Sequence, residues 1–293
     1  QHMDYTGPVG TISNTIVASA LVASGPIVID GEQDVVISGL HISNPSGNCI
    51  DISNGASNIV IENSEIGPCG DRGIRIESGS HNVTIRNNYI HDIASHAVWS
   101  YESHHITVDK NVIMNVWSGY EMWTTRKGHL SFTNNFVKNL APDGGGIRGP
   151  RGSANVVQGA FAHGPGIRIT DNVAVNIQGE SHPEDLVNMY QSGGTASDPI
   201  LIARNKFLGG GPSGSGAGIL LGDQGGNDIV AEDNILVNPG SLGLVIAGGH
   251  DLTFRNNRVY SDDQREVFPN TGFSAGGDCP SYTVEYNEIT FYQ

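Results

Sequence analysis

Ile85-Arg-Asn-Asn-Tyr-Ile90 is one of nine copies of a single phrase, and the spacing of the copies decides the fold. Others are Val108-Asp-Lys-Asn-Val-Ile113, Phe132-Thr-Asn-Asn-Phe-Val137 and Ile202-Ala-Arg-Asn-Lys-Phe207. The fourth position runs Ser64, Asn88, Asn111, Asn135, Asn172, Asn205, Asn234, Asn257 and Asn287, in steps of 24, 23, 24, 37, 33, 29, 23 and 30 residues. The shortest steps define the basic coil. A coil of that size cannot hold a helical hairpin and its turn, whereas three strands of about three to five residues fit, with bends between them. Stacked coils of this kind make a parallel β-helix of about ten turns, an all-β solenoid. The repeated Asn is expected to be structural: it sits at a bend, tolerates a left-handed backbone, and hydrogen-bonds its amide to the same amide one coil away. The longer steps gather extra loop length between Asn135 and Asn234, where a rigid repeat carries its specificity.

The remaining composition agrees with one solenoid domain over 1–293, in which 1–30 cap the first coil and 262–293 form the last coil and its cap. Glycine supplies 40 of 293 residues and charged residues only 15%, a turn-rich β composition and not that of a disordered chain. No stretch approaches the roughly 18 apolar residues of a membrane helix. The formal charge of −15, with 15 Lys and Arg spread along the chain, argues against nucleic acid or an anionic membrane as partner. Cys49, Cys69 and Cys279 show no Cys-x-x-Cys spacing and read as packing residues, Cys49 and Cys69 lying close enough on neighbouring coils to pair if the protein is exported. His81, His91, His96, His104, His105 and His129 are scattered without metal-ligand spacing. Gln1-His2-Met3 reads as an expression remnant, so the expected location, secreted or periplasmic, rests on indirect grounds.

A second strand recurs about ten residues after each ladder position: Cys49-Ile-Asp-Ile-Ser53, Gly73-Ile-Arg-Ile-Glu77, Ala97-Val-Trp-Ser-Tyr101, Gly146-Ile-Arg148, Asp185-Leu-Val-Asn-Met-Tyr190, Gly218-Ile-Leu-Leu-Gly222 and Gly243-Leu-Val-Ile-Ala247. This alternation with Asn-bearing bends resembles the superfamily of right-handed β-helices that includes pectate lyases, polygalacturonases and alginate epimerases, over residues 30 to about 290. The resemblance implies a carbohydrate cleft on the outward positions of this strand. Those are Asp51, Ser53, Arg75, Glu77, Arg148, Asn188 and Tyr190, then the apolar Leu220 and Val245. For 97–101 and 120–125 the register stays open, so Trp99, Glu121 and Trp123 face either the cleft or the core.

The candidate catalytic residues are Arg148, Arg151, His182, Glu184, Asp185 and Tyr190. Gly179-Glu-Ser-His-Pro-Glu-Asp-Leu-Val-Asn-Met-Tyr190 packs His182, Glu184 and Asp185 at the lip of a strand, and it resembles the strand start at which polygalacturonases carry an Asp of their catalytic carboxylate set, here Asp185. Asp143-Gly-Gly-Gly-Ile-Arg-Gly-Pro-Arg151 places Arg148 and Arg151 on the coil beneath, where guanidinium groups suit a substrate carboxylate or a salt bridge to Glu180 or Glu184. The substrate-binding candidates are Arg75, Glu77, Trp99, Glu121, Trp123, Asn188 and Asp223. Trp99, Trp117 and Trp123 fall close together with Tyr101 and Tyr120, and flat aromatic faces stack on sugar rings, although Trp117 is expected to fill the interior.

Three functions follow from these residues. A lyase or epimerase acting on a uronate-containing polysaccharide needs a base and a cation at the uronate carboxylate, roles open to His182, Tyr190, Arg148 and Arg151. A glycoside hydrolase needs two carboxyl groups, which Asp185 with Glu184, Asp223 or Glu121 would supply. A non-catalytic glycan-binding solenoid is the third reading. The expected partner is a polysaccharide, the chain a monomer. Ca²⁺ bridging acidic side chains to a uronate, as the resemblance implies, would reconcile an acidic protein with an anionic substrate, but no calcium loop can be read.

Overall fold

The computed structural model describes residues 20–143, 153–262, 271–277 and 281–291. It contains 28 strands, all paired in parallel from coil to coil. They fall into three faces. The first runs from Val22–Ser24 through Glu65–Cys69 and Val173–Val175 to Glu288–Phe291, the second from Ile27–Asp30 through Asn155–Ala160 and Asp185–Gly193 to Thr271–Ala275, and the third from Val36–Ser38 to Ser281–Glu285. Tyr89–Tyr101, Val112–Trp123 and Ala217–Glu232 each turn a corner and serve two faces. Residues 20–30 thus contribute strands to the first coil, pairing with Leu40–Asn44 and Ile50–Ser53.

Alternation builds the core. On the second face Ile50, Ile74, Val98, Tyr120, Val157, Val187, Ile219 and Leu244 stack in register inside the solenoid, each without solvent contact. β-branched side chains suit this position because each stacks flat on its counterpart one rung away. Truncating one to Ala costs about 2–5 kcal/mol, since the stack above and below is too rigid to collapse on the cavity.

The ladder is continuous. From Asn88 to Asn257 each Nδ2 donates to the next ladder Oδ1 at 2.8–3.2 Å and to a carbonyl of the preceding coil at 2.8–2.9 Å. The bend is divided differently from the expectation, because the left-handed residue is the one before each ladder position. Asn63, Asn87, Lys110, Asn134, Asp171, Arg204, Asp233, Asn256 and Tyr286 have φ between 49° and 61°. One left-handed residue reverses the chain and aims the next side chain inward, where its amide can be fully bonded. Asn and Asp take the position at low cost, and Lys110, Arg204 and Tyr286 show that the stack imposes it on others. Cys49 and Cys69 form a disulfide with Cα atoms 5.7 Å apart, beyond the packing role read from the sequence.

Candidate active site

Because side chains alternate, the partners of the buried column above stand outward on the second face. They run Asp51, Arg75, Trp99, Glu121, Gln158 and Asn188, then Leu220 and Val245. Register resolves the open segments: Trp99, Glu121 and Trp123 face outward. Ser100 and Tyr120 face inward and satisfy each other through a 3.0 Å Oγ···Oη contact. One strand assignment is corrected. The strand paired between Val112–Trp123 and Asp185–Gly193 is Asn155–Ala160, where the sequence suggested Gly146–Arg148, and it brings Gln158 into register with Glu121 and Asn188. Arg148 and Arg151 lie outside the described residues.

A second polar column, missed from sequence, lies three residues before the outward one: Asn48, Arg72, His96, Ser118, Asn155 and Asp185. The corner between the first and second faces separates the two positions, so Asn48, Asn155 and Asp185 reach the outward residue three positions on despite the odd spacing. This column does two jobs. Its oxygens accept main-chain N–H groups of the next coil, as in Arg72 N to Asn48 Oδ1 (3.0 Å), Asp185 N to Asn155 Oδ1 (3.1 Å) and Ala217 N to Asp185 Oδ1 (2.8 Å). Its remaining atoms orient the outward residue three positions on. Asn48 Nδ2 donates to Asp51 Oδ1 (2.8 Å), and Asn155 Nδ2 to Gln158 Oε1 (2.7 Å). The pattern polar-x-x-polar, aligned on the ladder, was the available signal.

At the seventh rung the two columns, in Asp185 and Asn188, meet a second carboxylate. Asn188 Nδ2 donates to Asp185 Oδ2 at 2.8 Å and to Asp223 Oδ2 at 3.2 Å. One nitrogen therefore holds two carboxylates within about 6 Å of each other, an upper bound set by those two contacts. Asp185 is buried, and burial pushes its pKa up to about 7; the bonds from Asn188 and Ala217 pull it back, and the neighbouring Glu184 and Asp223 charges add to the rise. Its Oδ1 accepts from the backbone and its Oδ2 from the Asn188 side chain. Asp223 is half-buried. Among the described residues Asn188 Oδ1 is buried with no hydrogen-bond partner, as is Glu184 Oε2, whereas Glu184 Oε1 accepts from Ser215 Oγ at 2.8 Å. Orphaned buried acceptors are costly unless a ligand completes them.

The other candidates are placed as follows. His182 is turned to the Ala141 carbonyl (Nδ1···O 3.1 Å), because its backbone N–H is tied to Leu140 at the corner before the second face. Tyr190 stands outward two positions beyond Asn188, edge-on to Phe161 (5.3 Å between centroids) and bonded to Gln191. Arg75 is held between Asp51 (3.5 Å) and Glu77, which offset its charge and leave the trio with one net negative charge. Glu121 Oε2 lies 2.9 Å from His96 Nε2, and His96 Nδ1 meets Ser95 Oγ at 3.0 Å. Trp99, Tyr101 and Trp123 form one cluster with centroids 5.8–6.4 Å apart; the Arg72 guanidinium covers Trp99, and Trp123 is 40% exposed. Trp117 is buried with Ala141 and Ala154 in a satellite cluster outside the main interior.

Among the described residues, no three His, Cys, Asp or Glu side chains are arranged to hold a metal ion. Asp51 and Glu77 bind Arg75, and Asp185 accepts from Asn188 and Ala217, so among the described residues these three do not supply the calcium ligand set implied by the resemblance. No described helix is long and apolar enough to cross a membrane.

A family model described as "Right handed beta helix region" matches residues 24–182, which gives the coil its expected hand. No curated protein matches the sequence. Among solved structures, the catalytic unit of a thermostable GH87 α-1,3-glucanase from Streptomyces thermodiastaticus superposes with a TM-score of 0.49 at 12% identity, covering 89% of this chain and 47% of that one. The Dettilon tailspike protein superposes with a TM-score of 0.39 at 13% identity, covering 94% of this chain and 64% of that one. The chain spans about half the length of the glucanase unit.

Proposed function

The chain belongs to the right-handed β-helix family, and on that scaffold we propose that it hydrolyses glycosidic bonds of a polysaccharide lying along the outer face of the second sheet. The observation that carries this reading is the Asp185–Asn188–Asp223 bridge. A glycosidase needs one carboxyl that still holds a proton near neutral pH and a second carboxylate close by. Asp185, buried and raised to about 7, is the proton donor; Asp223, the more exposed, is the partner carboxylate. Asn188 fixes their separation. The Trp99, Tyr101 and Trp123 cluster, two to three rungs away or roughly 10–14 Å at the usual strand spacing, stacks on further sugar units. The Cys49–Cys69 disulfide and a polymeric substrate support export to an oxidising compartment.

The test is incubation with a panel of neutral and uronate-containing polysaccharides, following reducing ends and the ultraviolet absorbance of unsaturated uronates together. New reducing ends without absorbance, lost in both Asp185→Asn and Asp223→Asn, support the hydrolase. A rise in both signals would replace it with the lyase reading that rests on Arg148 and Arg151. Silence across the panel in an assay that detects binding would leave a glycan-binding solenoid.

A further inference from the structure

Tyr101 and Trp123 end the outer strip, and the chain then bends toward the third face through Glu102–Ser103 and Thr124–Lys127. A cavity of about 230 Å³ opens at this bend, lined by Gly79, Glu102, His104, Thr124, Arg126 and Lys127. Its charges are unusual for this chain. Each of the other seven described arginines has a carboxylate within 4.0 Å, as expected where acidic residues outnumber basic ones two to one. Arg126 has none. Lys127 Nζ lies 3.2 Å from His104 Nε2, and burial together with Lys127, His105, His81 and His129 holds His104 at about 4, so it stays neutral and accepts from the lysine. Glu102, the one acidic residue lining the cavity, also faces Tyr101. The cavity therefore keeps an uncompensated positive charge at the edge of an aromatic platform.

Such a spot in an acidic protein does not serve bulk attraction of a polyanion, because Glu121, Asp185 and Asp223 along the same strip would repel one. An unpaired guanidinium beside a lysine suits a single carboxylate, sulfate or phosphate. We infer that the Arg126–Lys127 cavity receives an acidic substituent on a sugar unit stacked against Tyr101 and Trp123, so that the substrate is a mainly neutral glycan carrying acidic groups at intervals. This rests on the strip being the glycan-binding face proposed above.

The experiment is affinity electrophoresis through gels containing uronate-bearing, sulfated or phosphorylated polysaccharides, each beside its carboxyl-reduced, desulfated or dephosphorylated counterpart. Wild-type protein is expected to bind at least one acidic polymer about tenfold more tightly than its neutralised form, and Arg126→Gln/Lys127→Gln, altered only at exposed bend positions, to lose that preference. On a cleaved acidic polymer the double variant should raise KM by a similar factor and leave kcat unchanged. Equal retardation by acidic and neutralised polymers, or a preference surviving the double substitution, overturns the inference. Acid-dependent binding without any cleavage overturns the hydrolase reading alone, and cleavage indifferent to the substituent overturns the cavity's role alone.

Discussion

Asn172 and Asn188 sit in the same coil, both buried, yet their amides are used in opposite ways. Asn172 donates to the Phe132 carbonyl (2.8 Å) and Asn205 Oδ1 (2.9 Å), and its Oδ1 accepts from the Asn135 main chain (2.9 Å) and side chain (3.2 Å). Nothing is left for a ligand. Asn188 spends its nitrogen on two carboxylates and keeps its oxygen unpartnered among the described residues. A closed hydrogen-bond inventory marks architecture, since each buried bond left unmade costs about 1–3 kcal/mol. An open one at an outward position is tolerated where a substrate closes it.

The strongest break of this comparison is Asp185→Asn, which should lower kcat by about two to four orders of magnitude by removing the proton donor. The same variant tests linkage. Asp185 holds its proton more tightly in the folded chain (about 7, against 3.8), so its contribution to stability is full below about pH 4 and is lost as pH rises through 7. Denaturant titrations from pH 4 to 8 should show the wild type losing up to about 4 kcal/mol relative to Asp185→Asn. A constant gap across that range would remove the raised pKa, and with it the acid assignment.

Next in size, Asn172→Ala should cost about 3 kcal/mol or more in chemical denaturation, because it strands donors and acceptors on both neighbouring coils. Activity per folded molecule should stay within about twofold, as no strip residue moves. Asn188→Ala should invert that outcome, with a stability change of about 1 kcal/mol and kcat reduced about a hundredfold as Asp185 and Asp223 lose their common tether. If the two asparagines gave the same ratio of stability to activity loss, the distinction drawn from their bonds would fail. The smallest effect belongs to Trp123→Ala, where loss of one stacking face should raise KM by at most about tenfold at unchanged kcat in steady-state kinetics.

Much of the fold could be read from the chain because repetition multiplies a weak local signal. Nine copies of one phrase set the coil length, the ladder and the number of turns, and even the outward set Asp51, Arg75 and Asn188 followed from alternation. The candidate site was legible in part. Asp185 with Asp223 was one of the carboxyl pairs open to a hydrolase and Asn188 a substrate-binding candidate, but the tether that joins the three depends on a 35-residue separation that no local pattern reports. Gln158 and the column from Asn48 to Asp185 were missed. The extra length in the coil from Asn135 to Asn172 made Gly146–Arg148 a plausible strand, and only coil-to-coil pairing reveals Asn155–Ala160.

By itself, then, the sequence determined what period and polarity can encode: a solenoid of about ten coils, its interior columns, its ladder, and one face rich in polar and aromatic groups. Tertiary structure decided which polar groups are finished and which are not. Burial, coil-to-coil register and the corner between two faces set whether an Asn closes a ladder or bridges two carboxylates, whether an Asp keeps its proton, and whether an arginine finds a partner. Those outcomes depend on atoms brought within about 3 Å from distant parts of the chain, a distance scale at which hydrogen bonding and desolvation act and which residue spacing cannot specify.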